Sequence, residues 1–419
     1  MDILNKEAWE QKALIKAGAL SVQELMQETL ARIQTVNPMV NALVDLLNEE
    51  DCVNLTSENC ALERSLGGMP MAIKDLANVK GFKTTEGSPL YSGRVAQQDD
   101  QMVARLRAAG ALFIGKTNTP EFGLGSNTFN PVYGKTKNPY DLSKTCGGSS
   151  GGAAVALATR MLSISDGSDM MGSLRNPAAW NNIYGLRPTW GLIPPEPTGE
   201  MFLSQLSTLG PMARSPKDLA MLLDVQANRI ENESFISSAK TFSNFTEEPI
   251  MKGIKVGWLG DWSGTLPFED GLLDLSQEAL NEMSSLGAII HDLKAPFAMN
   301  DIWTSWSDLR AWQISNGLNE IYEDLEMRQY LKPEAVWEIE CGLSLSGQDI
   351  YKSALKKSKW YNSASQLFEK FDLLVLPSTQ VWPFDLAEIY PVSINNQEMD
   401  TYHRWMQVTI PAGLLGLPV

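Results

Sequence analysis

Histidine is scarce in this 419-residue chain, which holds only His291 and His403. A serine hydrolase of the ordinary triad kind needs a histidine base, so the base is either one of these two or a different residue type. The four cysteines, Cys52, Cys60, Cys146 and Cys341, lack CxxC or Cys/His ligand spacing, so neither a disulfide framework nor a zinc site is indicated. No apolar run reaches bilayer length, and the opening MDILNKEAWEQKAL lacks the charged-then-apolar order of a signal peptide. The expectation is a cytoplasmic protein without a membrane partner. Basic charge is also short: 34 Lys and Arg face 50 Asp and Glu, a net charge of -16, so no direct contact with nucleic acid is expected. Internal repeats and low-complexity tracts are missing.

What remains is an ordinary globular composition, 43% hydrophobic and 20% charged, in a chain long enough for a large α/β core. Ser21-Val22-Gln23-Glu24 reads as a capping box, and Val22, Leu25, Met26, Leu30 and Ile33 follow at helical spacing until Asn37-Pro38, where the helix is predicted to stop. The apolar run Met69 to Lys74 predicts a buried strand that ends on a lysine. Val103, Leu106 and Ala109 predict a helix closed by Gly110, and Ala111 to Gly115 a second strand, together a βαβ unit. Lys116 to Tyr140 reads as loop, Ala153 to Thr159 as helix and Met161 to Ser165 as strand. Gly210-Pro211-Met212 is expected to open a helix running through Leu223. Residues 231–248 read as polar and turn-like, Gly253 to Trp258 as a strand, and the aromatic-rich stretch 297–347 as helical. Phe371 to Pro377 reads as a buried strand, and Ile410 to Val419 as a turn of helix entering a strand.

The chemistry gathers around Cys146-Gly147-Gly148-Ser149-Ser150-Gly151-Gly152 and Asp166-Gly167-Ser168-Asp169-Met170-Met171-Gly172-Ser173-Leu174-Arg175. One short helix separates these two serine-bearing loops, so they can face one site, and the glycines let backbone N–H groups approach a developing oxyanion. Three readings compete. Gly148 to Gly152 matches the G-x-S-x-G elbow, which makes Ser150 a nucleophile with His403 as the better-ordered base. A phosphate loop fails, because the run lacks the Lys-Ser/Thr that reaches phosphate and magnesium. The third reading needs no histidine: a buried lysine loses its proton and serves as base, with Lys74, Ser149 and Ser173 in a relay.

Those motifs, with Gly185-Leu186-Arg187-Pro188-Thr189, Lys116 to Phe122, Asn138-Pro139-Tyr140 and Gly210 to Arg214, resemble the amidase signature family. The resemblance implies an α/β fold with a mixed central sheet surrounded by helices. It implies one domain over 1–419, an aromatic-rich insertion at about 297–347, and a C-terminal end short of the family's further strands and helix. Ser173 is then the nucleophile, Ser149, at or beside a cis peptide, the relay, and Lys74 the neutral base. Oxyanion donors are the N–H groups of Met170, Met171, Gly172 and Ser173, with Ser150, Asp169 and Arg175 in support and Asp169 and Arg175 as a buried pair. The implied activity is hydrolysis of a small carboxylic amide without metal or organic cofactor, with a homodimer as the candidate assembly. Two other functions stay open: an amidase-type subunit of a tRNA-dependent amidotransferase, and an impaired ligand-binding homologue. The family commonly has glycine where Met171 stands, so a positive φ there would strain the turn.

Overall fold

The computed structural model describes residues 3–57, 62–196, 200, 202–227, 241–244 and 251–419. Cys60 and most of the turn-like segment 231–248 lie outside the described residues. The chain gathers into two compact units: residues 1–244, 385–389 and 418–419 in the first, and 245–384 and 390–417 in the second.

The first unit opens with helices α1 (Ala8–Lys16) and α2 (Val22–Val40). Ser21 Oγ accepts the Glu24 N–H and the Glu24 carboxylate accepts the Ser21 N–H, so the capping box satisfies donors that the first turn leaves open. Pro38 does not stop α2, contrary to expectation. The helix closes on Asn41, which is left-handed (φ 53°) and whose N–H reaches the Asn37 carbonyl at 2.7 Å. Asn37 Oδ1 then takes the N–H groups of Ala42 and Leu43, both at 2.9 Å, so the Asn-Pro pair shapes the exit of the helix.

After β1 (Leu43–Val44) and α3 (Glu49–Ser57) comes the predicted βαβ unit: β2 (Pro70–Lys74), α4 (Gln101–Ala108) and β3 (Leu112–Thr117). β2 pairs parallel with β3, placing Lys74 opposite Thr117, and β1 lies antiparallel on the far side of β3. The loop-like segment carries a small hairpin, β4 (Phe129–Asn130) and β5 (Gly134–Lys135).

Helix α5 (Gly151–Ala158) leads to β6 (Ile164–Asp169), α6 (Arg175–Trp180), β7 (Tyr184–Gly185), β8 (Thr208–Ala213) and α7 (Pro216–Gln226). Two expectations change here. Met161 and Leu162 close the end of α5, both donating to the Ala156 carbonyl, so the strand starts three residues after the predicted Met161. Gly210-Pro211-Met212 lies inside β8, antiparallel to β6 with Gly210 opposite Gly167, and the helix starts only at Pro216 behind the Ser215 cap. Proline fits there because Pro211, which has no N–H to give, still accepts the Leu186 N–H through its carbonyl.

The mixed sheet of this unit comprises two three-stranded ladders, β1-β3-β2 and β6-β8-β7, in which β2 and β6 are edge strands packed against each other. α5 lies on this layer with every residue from Gly151 to Leu157 buried. A Cβ on Gly152 would run into the Asn118 backbone nitrogen and the Ala42 carbonyl, so only glycine lets the helix sit this close.

In the second unit, β9 (Lys255–Trp258), α8 (Leu272–Ser285) and β10 (Ile289–Asp292) precede three longer helices. These are α9 (Met299–Glu323), α11 (Pro333–Leu343) and α12 (Gly347–Phe368), with the single turn α10 (Leu325–Arg328) between the first two. β11 (Leu373–Val375) completes a parallel sheet of order β10-β9-β11. The predicted strand at 371–377 is therefore shorter and, as an edge, only partly covered: Leu373 is 44% exposed. Ile410 to Leu415 form α13, and Val419 exchanges two backbone hydrogen bonds with Arg187 at 2.8 Å without forming a strand.

Candidate active site

Lys74 sits at the end of β2 and is 1% exposed. Its Nζ lies 2.7 Å from Ser149 Oγ, 2.9 Å from Ser150 Oγ and 3.0 Å from Ser168 Oγ. Burial disfavours the ammonium and brings the pKa down to about 7, against the opposing pull of the Asp166 and Asp169 carboxylates. Near neutral pH a sizeable fraction of Lys74 is thus a free amine with its lone pair among hydroxyls.

The loop that brings Ser149 to the lysine is held by its carbonyls. Gly147 O accepts the Thr128 N–H at 3.1 Å and Thr128 Oγ1 at 2.7 Å, Gly148 O accepts Ser126 Oγ at 2.5 Å, and Asn181 Nδ2 binds Cys146 O at 2.8 Å. The Gly148–Ser149 peptide is cis. Gly151 packs where a Cβ would meet Cys146 Sγ and Thr128 Oγ1, a second point at which the run has no room for a side chain.

Asp169 organises the other loop. Its oxygens accept the Gly172 N–H at 2.9 Å and the Leu174 N–H at 3.2 Å, and Arg175 binds both of them at 3.0 Å. Arg187 adds a third cationic contact at 3.5 Å. Burial opposes ionisation of Asp169, but the two guanidiniums and the Gly172 N–H outweigh it and hold the carboxyl well below its ordinary range. Ser173 follows this turn; it is 8% exposed against 2% for Ser149, and its carbonyl accepts the Ser150 N–H at 3.2 Å, joining the two serine loops.

The positive φ that would strain Met171 does not occur there. The left-handed residue is Gly172 (φ 83°), and Met171 has negative φ with its side chain buried. The Gly172 N–H is already taken by Asp169, whereas the Met171 and Ser173 N–H groups engage no acceptor among the described residues.

Several residues of the site were not singled out in sequence. Ser168 is a third hydroxyl on Lys74, Arg187 shares Asp169, and Asp166 Oδ1 accepts the Lys74 backbone N–H at 3.0 Å. Beside them Lys116, fully buried, pairs with Asp75 at 3.5 Å and donates to the Ala77 carbonyl at 2.6 Å. For Lys116 a signal exists, a charged residue that continues the apolar run of β3; Ser168 carries no charge and Arg187 lies outside any strand.

The elbow reading fares differently. Ser150 Oγ accepts an N–H of Lys74 and donates to the Ser168 carbonyl at 3.3 Å. His403, in the second unit, is buried among Trp303, Trp306, Trp337 and Tyr402, with Nδ1 on Thr401 Oγ1 at 2.8 Å and Nε2 3.5 Å from Glu338. Burial, with Arg310 and Arg404 nearby, holds it well below its ordinary pKa. Trp303 and Trp306 are core residues, while Trp337 borders a surface cavity of about 570 Å³. No group of three metal-ligating side chains occurs among the described residues, and no described helix is long and apolar enough to cross a membrane.

The amidase family model matches residues 24–419. The chain belongs to the amidase signature family. An acylamidase of Rhodococcus erythropolis is 31% identical over 98% of this chain and 90% of its own length. A glutamyl-tRNA(Gln) amidotransferase subunit of Alkaliphilus metalliredigens is 30% identical over 90% of this chain and 84% of its own. Among solved structures, a bacterial aryl acylamidase of the amidase signature family superposes with a TM-score of 0.88 at 25% identity, covering 99% of this chain and 88% of that one. The fold is the α/β amidase signature fold, and the chain is an amidase-class enzyme.

Proposed function

We propose that this amidase hydrolyses a small carboxylic amide to acid and amine or ammonia through an acyl-enzyme on Ser173. The observation that carries the reading is the buried Lys74 amine 2.7 Å from Ser149 Oγ, a base with a pKa near neutrality in a site where no histidine is engaged. Ser173 Oγ attacks the carbonyl carbon, its proton passes to Ser149, and the Ser149 proton passes to Lys74. The tetrahedral oxyanion is met by the backbone N–H groups of the 170–173 turn, with Met171 and Ser173 as the uncommitted donors. The C–N bond then breaks as the relay returns the proton to the leaving nitrogen, and water, deprotonated by the same relay, releases the acid. Ser150 and Ser168 accept the remaining Lys74 N–H bonds, which turns the lone pair toward Ser149.

A panel of aryl and aliphatic amides, assayed with Ser173→Ala and Ser150→Ala, tests this. Loss of turnover and of fluorophosphonate labelling in Ser173→Ala supports it; a covalent adduct on Ser150 restores the elbow. The 30% sequence identity to a glutamyl-tRNA(Gln) amidotransferase subunit favours a second reading with the same relay, in which ammonia released from glutamine is passed on. Glutamine hydrolysis that appears only with an added partner protein would select it.

A further inference from the structure

The edge strands β2 and β6 face each other without a backbone ladder between them. At this seam the Lys74 N–H is buried, and a buried donor left unpaired is costly. Asp166 supplies the acceptor: Oδ1 takes that N–H at 3.0 Å, from a side chain 1% exposed.

The charges around it are unevenly matched. One residue past β2, Asp75 is paired with Lys116 of β3 at 3.5 Å. On β6 Asp169 is held by Arg175 and Arg187. α5 (GGAAVALA) and β8 (TLGPMA) contribute no charged side chain. Among the described residues Asp166 has no cation within ion-pair distance, and the cations that act on it are Lys74 and Lys116. Its carboxylate is therefore the anion whose charge falls on Lys74 without local neutralisation.

We infer that Asp166 is a positioning residue that fastens the Lys74 end of β2 to β6 and whose negative charge sets the pH range in which Lys74 serves as a free amine. The inference rests on the Lys74 base reading above. Burial pushes the Asp166 carboxyl up to about 6, so it is ionised through the upper part of the range in which Lys74 titrates. Removing the charge while keeping the acceptor makes the ammonium easier to discharge.

The test is Asp166→Asn in the full chain, with Asp166→Ser as a second acceptor-keeping variant should the first not fold. The readouts are the rate of Ser173 labelling by a fluorophosphonate and the kcat/KM for an acyl anilide, both from pH 5 to 10. The expected result is an acid limb moved down by about 1 pH unit with a melting temperature close to the parent's. An acid limb at the parent's pH, or moved upward, overturns the inference. A Lys74→Ala control separates the two levels: labelling that persists at the parent's rate refutes the base assignment itself, whatever Asp166→Asn does.

Discussion

Replacing Lys74 by methionine tests the site through both rate and stability. The proposed base works only when unprotonated, so kcat/KM of the parent is expected to rise with pH through about 7 and level off above it. Two pH units below that value, roughly 1% of the lysine is neutral and activity should be about a hundredth of the plateau. Lys74→Met removes general base catalysis, a loss of about 10²- to 10⁴-fold at the plateau. Stability moves the other way. The unfolded lysine keeps its proton up to about 10.5 while the folded one loses it near 7, so the unfolded chain binds more protons between these values and folding gains as pH rises across them. The full difference corresponds to about 5 kcal/mol, a penalty present below pH 7 and gone above 10.5. Methionine avoids it but forfeits the hydrogen bonds to three serine hydroxyls at about 1 kcal/mol each. The net gain of about 2 kcal/mol should raise the melting temperature at pH 6, vanish near pH 8 where the penalty has fallen to about 3 kcal/mol, and turn into a net loss of about 2 kcal/mol near pH 10. Rates come from acyl anilide hydrolysis and stability from calorimetry at both pH values. A parent rate flat between pH 5 and 7, or a variant with a tenth of the parent's activity, would refute the base assignment.

Asp169→Asn strips the counter-charge from Arg175 and Arg187 and should lower stability by about 3–5 kcal/mol by denaturant titration, with Ser173 labelling lost. Because the folded Asp169 carboxyl lies below its ordinary 3.8, its contribution is present above that value and disappears as pH falls through the lower folded one, which acid titration of parent and variant checks. Gly152→Ala drives a Cβ into the Asn118 and Ala42 backbones and should cost about 1–3 kcal/mol or more, read as a melting-temperature drop that does not vary with pH. In the second unit, Glu338 accepts Arg310 Nε at 2.6 Å and the Tyr402 hydroxyl at 2.7 Å, all of them buried. Glu338→Gln leaves Arg310 without its counter-ion and is expected to destabilise by about 3–5 kcal/mol in thermal melts.

How far the sequence discloses this protein depends on whether local rules decide the outcome. The Ser21 capping box and the β2–α4–β3 unit were legible because cap chemistry and apolar periodicity act within a few residues. Pro38 was misleading because an exposed proline near a C-terminus costs little when Asn37 and Asn41 cap the exit. Gly210-Pro211-Met212 resembles a helix start locally, and only its pairing with Gly167 and Pro211's place opposite Asp166 make it strand.

The site divides along the same line. The glycine and serine loops announce themselves, since no core needs Gly147 to Gly152, all glycine and serine, in an unbroken row. What surrounds them does not: β6 buries Ser165, Asp166 and Asp169, residue types that weigh against a strand on composition, so the sequence pattern puts the strand three residues too early. Each of these carboxylates is tolerated only because a distant partner meets it, the Lys74 N–H for Asp166 and Arg175 with Arg187 for Asp169. Lys74 itself shows the limit most clearly. One lysine at a strand end reads as solvated, and its proposed use as a base depends on burial together with three hydroxyls, two from the glycine loop and one from β6, 75, 76 and 94 positions further along the chain. Desolvation lowers the pKa, while the number of carboxylates left unpaired nearby decides how far, and that number is a property of the assembled seam between β2 and β6.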